Sequence, residues 1–238
     1  MHNSKIGPEL FIHETGEEIY TLTRPNNETY YINNAQSYFD KTVCLDSTAF
    51  LSPFVSNLNA NDKILDLGCG SGRDLLLLKN SGFKPVGFEK SPVLAQMARD
   101  YSGCPVVEGD FLSYDFTKFS VHALLFSASL VHLPYNGVCN ALDNALYALK
   151  DRGFVYLSLK EGCGMKRDSD SRQFFLWHDS DLRKLFGEMG LVMMDYQKTP
   201  SVRGTEETWL SYTLHFDKNT PMIKNPGQEV CHTRKLNI

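Results

Sequence analysis

The stretch Ile64-Leu65-Asp66-Leu67-Gly68-Cys69-Gly70-Ser71-Gly72-Arg73-Asp74 decides the fold. Ile64, Leu65 and Leu67 form a short apolar run suited to a strand buried on both faces, and Leu75 to Leu78 open a helical pattern directly after the glycines. The stretch reads as strand, glycine turn, helix. Glycines at such a turn permit positive φ and remove the Cβ atoms that would keep a ligand off the chain. Backbone N–H groups and the positive end of a helix then face whatever docks there.

The spacing narrows the ligand. A dinucleotide-binding turn reads G-x-G-x-x-G, whereas here the third glycine, Gly72, comes one residue early and Arg73 stands in the dinucleotide position. Asp66, ahead of the first glycine, suits a cationic amino group better than a pyrophosphate. With these residues D-L-G-C-G-S-G-R-D resembles the first motif of class I S-adenosylmethionine-dependent methyltransferases. The resemblance implies that Asp66, Gly68 and Gly70, with the backbone of Cys69, hold the methionine end of that cofactor; Arg73 is a further cofactor-binding candidate.

Downstream residues agree in order. Glu89 ends the next apolar run about 20 residues after the turn, where an acidic residue meets a ribose in nucleotide-binding sheets, and Lys90 and Ser91 beside it join the cofactor candidates. Asp110 and Phe111 follow the third run. The family resemblance implies that Asp110 takes the adenine amino group while Phe111 donates a backbone N–H to the ring.

From Lys63 the chain alternates. Strand 63–67, helix 72–81, strand 84–88, helix 91–101, strand 104–108, strand 121–126, helix 137–150 and strand 153–159 are expected, with Ser91 as cap, Pro92 at the first helical position and Gly103 as the stop. This order predicts an α/β fold, a doubly wound and mostly parallel sheet of Rossmann-like methyltransferase type. Ligands then bind at the carboxyl ends of the strands. A polar loop over 160–172, an amphipathic helix over 177–189, and an antiparallel pair of strands over 191–197 and 208–216 close the domain.

Three divisions are expected: an N-terminal extension over 1–35 with a possible hairpin or flap, a methyltransferase domain over 36–216, and an aperiodic, partly mobile tail over 217–238. Ahead of the core, Ser47 caps a helix carrying Phe50, Leu51, Phe54, Val55 and Leu58, or Ser52 does so with Pro53 at the first position. The tyrosine-rich segment Tyr30 to Phe39 precedes it. By resemblance, a segment of this kind folds over the cofactor, with Tyr38 and Thr42 as its contacts; packing against the core is the plainer role for Tyr31 and Tyr38.

The acceptor side is harder to read. The fourth strand runs into Ser127, a candidate cofactor contact, and then His132, which could serve as a general base or be a hydrogen-bonded structural histidine. The stretch lacks the Asn/Asp-Pro-Pro-aromatic signature of base or amide N-methylation and resembles the small-molecule branch. Tyr31, Lys160, Arg172 and Arg203, lying among aromatic residues, are substrate candidates for a small acceptor with an anionic group.

Composition sets the remaining bounds. The 238 residues are 42% hydrophobic and 22% charged, with a net charge of −4, which gives no basic footprint for nucleic acid. The six cysteines never form C-x-x-C, so no metal site is expected. No leader pattern opens the chain and no apolar run is long enough for a membrane span, so a cytoplasmic protein is expected, with a homodimer possible. The expected activity is methyl transfer to a small-molecule acceptor; tRNA or protein methylation, or a non-catalytic cofactor-binding regulator, are the alternatives.

Overall fold

The computed structural model describes residues 11–12, 18–19 and 27–217. Two short strands, β1 (Phe11–Ile12) and β2 (Glu18–Ile19), pair antiparallel. Their connecting turn and the C-terminal tail lie outside the described residues. Helices α1 (Asn27–Asn33), α2 (Ala35–Thr42) and α3 (Thr48–Val55) lead to the core.

The core alternates as expected: β3 (Lys63–Leu67), α4 (Arg73–Asn80), β4 (Lys84–Glu89), α5 (Pro92–Ser102), β5 (Val106–Glu108), β6 (Val121–Phe126), α6 (Tyr135–Leu146) and β7 (Leu149–Lys160). A small hairpin, β8 (Met165–Arg167) and β9 (Gln173–Phe175), precedes α7 (Asp179–Glu188), β10 (Leu191–Pro200) and β11 (Thr208–Phe216). The main sheet has seven strands in the order β10-β11-β7-β6-β3-β4-β5. Strands β7, β6, β3, β4 and β5 run parallel, while β11 lies antiparallel to both β7 and β10.

Strand alternation divides the core between two faces. Ile64, Ala123, Leu125 and Tyr156 pack with Leu51 and Phe54 of α3 and Leu78 of α4. Leu65, Leu67, Leu124, Phe126, Val155 and Leu157 pack with α6 and α7. Burying both faces of β3 explains why Ile64, Leu65 and Leu67 are all apolar.

Three local expectations are corrected. Helix α6 stops at Leu146 and β7 starts at Leu149, because Val121 N–H takes the Ala148 carbonyl and the chain turns into the sheet early. The irregularity this creates sits at Arg152, with φ +59°, and at Gly153, where a Cβ would lie 2.6 Å from the Leu149 side chain. The polar loop after β7 contains the β8–β9 hairpin, with Met165 opposite Phe175. Finally, of the two starts expected for α3 the one after Ser47 holds, with Pro53 inside the helix, but Ser47 makes no side-chain cap. Asp46 Oδ1 accepts the Thr48 N–H at 2.9 Å, and the Ser47 hydroxyl bonds Asp74 instead of capping the helix.

Candidate active site

The β3–α4 turn holds Gly68, Gly70 and Gly72 at φ +78°, +54° and +78°, all left-handed. Close approach adds to the demand for glycine. A Cβ on Gly68 would lie 2.5 Å from Ser129 Cβ, and one on Gly72 would lie 2.9 Å from the Ala98 backbone. The Gly68 and Cys69 N–H groups bond the Phe88 carbonyl at 2.7 and 3.2 Å, which ties the turn to β4.

Glu89, buried at the end of β4, accepts from Gly70 N–H at 3.0 Å and Ser91 N–H at 2.9 Å. Burial raises its carboxyl above the ordinary value, and those N–H groups oppose the rise. The same carboxylate therefore joins the glycine turn to the start of α5.

Asp66 is 1% exposed, and its Oδ2 has no hydrogen-bond partner. Burial, and then the nearby Asp74, push this carboxyl well above the carboxylate range. Asp74 is held by Arg73 through two bonds of 2.7 and 2.8 Å, with Ser47 and Ser127 also bonding it, and is lowered despite its burial. An orphaned acid thus sits beside a satisfied one at the mouth of the glycine turn.

A cleft opens over the turn. Its floor includes Asp66, Gly68, Cys69, Arg73 and Ser127; Tyr31, Tyr38 and Thr42 of α1 and α2 form one wall, and Lys160, Arg172 and Arg203 stand on another. Burial pushes the Tyr38 hydroxyl up to about 12. The Thr42 hydroxyl is spent on the Tyr38 carbonyl at 2.8 Å. Tyr31, Tyr38 and Gly68 of the turn therefore share one enclosure, while Gly70, Gly72 and Glu89 do not line it.

The cations on that wall are mostly partnered. Lys160 Nζ lies 2.6 Å from Glu207 and 3.7 Å from the Phe174 ring centroid. Burial lowers its ammonium pKa, with Glu207 opposing. Arg172 pairs with Asp168 at 2.7 Å and stacks over Tyr30 at 4.5 Å. Arg203 also lines the cleft, and no acid partners its guanidinium among the described residues.

Other sequence candidates fall elsewhere. Lys90 is exposed and bridges Glu28 at 3.0 Å and Asp110 at 2.9 Å. Asp110 also accepts the Leu112 N–H, and Phe111 packs on Phe88 with its carbonyl taken by Asn144. Ser91 caps α5 by accepting the Leu94 N–H. These residues adjoin the cleft at the ends of β4 and β5 without lining it. His132 does not line it either: its Nε2 lies 2.8 Å from the hydroxyl of Tyr31, which does.

Sequence reasoning passed over Tyr30, Phe50, Asp74, Tyr156, Ser158, Asp168 and Glu207 as site residues. Asp74 stood in the quoted motif, and its carboxylate directly after Arg73 was an available signal. Asp168 and Glu207 lie on loops, and only the fold brings them to Arg172 and Lys160.

A doubly wound sheet with a glycine turn at a strand end, and an acid at the end of each of the next two strands, defines a nucleotide-type cofactor fold. The comparisons with known proteins give the class. Residues 64–153 match a family model described as a methyltransferase domain. An uncharacterized methyltransferase of Oceanobacillus iheyensis is 21% identical over 159 residues, spanning 66% of this chain and 71% of that protein.

Solved structures agree on the fold. The 1,6-didemethyltoxoflavin-N1-methyltransferase of Burkholderia thailandensis, solved with that compound and S-adenosylhomocysteine bound, gives a TM-score of 0.61 at 18% identity, covering 88% of this chain and 99% of that one. A TehB-like S-adenosylmethionine-dependent methyltransferase of Corynebacterium glutamicum gives 0.60 at 21% identity, covering 81% and 100%. Residues 64–153 thus match a methyltransferase domain, and the sheet around them has the Rossmann-like fold of S-adenosylmethionine-dependent methyltransferases.

The turn fits the methionine end of S-adenosylmethionine. An ammonium group would satisfy the orphaned Asp66 oxygen, and the space that a Cβ on Gly70 would fill, 3.2 Å from Tyr38, stays open to a ligand.

Proposed function

We propose that this methyltransferase acts on a small-molecule acceptor bearing an anionic group. The observation that carries the reading is the single cleft in which the glycine turn and orphaned Asp66 face a wall of Lys160, Arg172, Arg203 and aromatic rings. S-adenosylmethionine supplies a methyl group already activated by its sulfonium. The protein's work is then to hold the acceptor in line and exclude water.

In this reading Asp66, Gly68, Cys69, Gly70, Arg73 and Ser127 hold the methionine end, with Tyr38 and Thr42 closing over it. Glu89 takes the ribose hydroxyls, its remaining lone pairs being free for them. Lys90, Ser91, Asp110 and Phe111 flank the adenosine end. Because Lys160 and Arg172 already have acid partners, Arg203 is the cation best placed to meet the acceptor's anion, and the two paired cations hold the wall around it. Small-molecule acceptors among structural relatives support the size class.

The test has two arms on one protein. S-adenosylhomocysteine should raise the Tm while NAD does not. With labelled cofactor, a small-molecule extract should accept the methyl group and bulk tRNA or protein should not. Label appearing only in macromolecules would overturn the acceptor class.

A further inference from the structure

A hydrogen-bonded chain with a fixed direction crosses the acceptor side of the cleft. His132 ends a 3-10 turn after β6, and its Nδ1 lies 2.6 Å from the Gln173 carbonyl oxygen. A carbonyl can only accept, so Nδ1 carries the proton. The Nε2 of that neutral ring is then bare, and the Tyr31 hydroxyl lies 2.8 Å from it. Tyr31 therefore donates to His132.

The surroundings hold this arrangement. Asn27 donates to the Gln173 carbonyl at 3.1 Å and accepts the Gln173 N–H at 2.8 Å, which fixes the end of the chain. The Tyr31 ring meets Tyr30 at 5.2 Å and Tyr38 at 5.0 Å edge to face, and the His132 ring packs on Phe174 at 4.7 Å. Burial, with Arg172 and Lys160 nearby, keeps the imidazole neutral, its pKa lowered to about 4.

A freely turning phenol can donate or accept. Tyr31 has already given its one proton away, so toward the cleft it lines it can offer only lone pairs. We propose that Tyr31 receives a hydrogen bond from the acceptor's nucleophilic atom, that His132 is the positioning residue enforcing this, and that the acceptors therefore carry a proton on the heteroatom to be methylated. This inference rests on reading the cleft as a methyl-transfer site. A proton-bearing oxygen or nitrogen anchored to Tyr31 has its lone pair orientation set; that pair forms the new bond to the methyl carbon as the bond to the cofactor's sulfur breaks, and the heteroatom's proton, made acidic by methylation, is then lost to water. A carbon nucleophile or a proton-free nitrogen gains nothing from such a group.

The inference is tested first without any acceptor, by nitrogen-15 NMR of the histidine rings in the full chain near neutral pH. Protonated Nδ1 and bare Nε2 are expected at His132, with the Nε2 resonance moving in Tyr31→Phe; an Nε2–H tautomer would overturn the proposal. Next, labelled-methyl transfer into a small-molecule extract identifies the product. The methyl should sit on a heteroatom that previously bore a proton.

With that product as the assay, Tyr31→Phe should lower kcat about 10-fold or more with cofactor Kd unchanged. His132→Leu should fall similarly. His132→Gln should recover much of the loss, because its amide can accept from Tyr31 and donate to the Gln173 carbonyl. Methylation of carbon, or full kcat in Tyr31→Phe, would overturn the inference. Thermal protection by S-adenosylhomocysteine, measured in every variant, separates this failure from failure of the methyltransferase reading.

Discussion

The two sides of the cleft are built on different principles. The side that we propose for the cofactor is a local structure: Gly68 to Gly72 and Glu89 follow the adjacent parallel strands β3 and β4, and backbone N–H groups tie them together. The acceptor side is assembled from distant segments. Tyr31 meets His132, Lys160 meets Glu207, and Gln173 meets Asn27, partners 101, 47 and 146 residues apart in sequence. A backbone cradle tolerates little change and binds one chemistry, whereas a wall of side chains can be altered residue by residue while the cradle stays intact.

That contrast predicts a graded set of effects. The largest belongs to Gly68→Ala, which places a Cβ 2.5 Å from Ser129 Cβ at φ +78°. Backbone strain alone should cost roughly 1–3 kcal/mol, and binding of S-adenosylhomocysteine should fall sharply in calorimetry. Retained stability and affinity would show that the turn is not a fixed cradle.

A smaller effect is expected from Glu207→Gln, which removes the ion-pair partner of Lys160. Lys160 is 7% exposed and its ammonium would be left without its acid partner, so stability should fall by more than the about 1 kcal/mol of a surface pair. The acceptor KM should rise a few-fold while cofactor Kd holds. Equal changes in both would mean that the two sides are not separable.

The smallest effect concerns pH. Burial lowers the His132 pKa to about 4, so it stays neutral as pH rises from about 5 to 8. Its folded pKa lies below the ordinary value, so the neutral ring favours folding above that value and the contribution is lost as pH falls through about 4. A pH-rate profile should show no step near pH 6.5 that disappears in His132→Gln. Such a step would restore His132 as a titrating base.

The sequence carried the two sides unequally. Strand β3, the glycine turn and Glu89 were legible because local pattern determines them: an apolar run, glycines at positive φ, and an acid at the next strand end. Gly103 as the stop of α5 was legible for the same reason, and it adopts φ +61°. The end of α6 was not, since Tyr147 to Leu149 continue a helical pattern and only sheet pairing through the Ala148 carbonyl ends it. The β8–β9 hairpin was hidden in a polar stretch because its pairing depends on one neighbour strand and little burial.

Among site residues the same division holds. Lys160 and Arg172 were recognisable as cations near aromatic residues, but their partners Glu207 and Asp168 were not. Each ion pair forms between loops whose separation is set by the fold. His132 was recognisable as chemically able, yet its use of both ring nitrogens, one on Tyr31 and one on Gln173, is a tertiary fact.

The central claim is that Asp66, a buried carboxyl whose Oδ2 has no partner, is kept for the cofactor's ammonium group. Burial and Asp74 raise its pKa in the folded protein, so its contribution to stability is full below the unfolded value of about 4 and is lost as pH rises through the folded value. Asp66→Asn removes that loss and also removes the charge-assisted contact, worth about 1.5–3 kcal/mol. The decisive measurement is therefore Tm at neutral pH with and without S-adenosylhomocysteine, in the natural protein and in Asp66→Asn. The account predicts that the variant is at least as stable without ligand and gains much less from it, with Kd weakened about 10- to 100-fold. A variant that is less stable alone and equally protected by the ligand would contradict it.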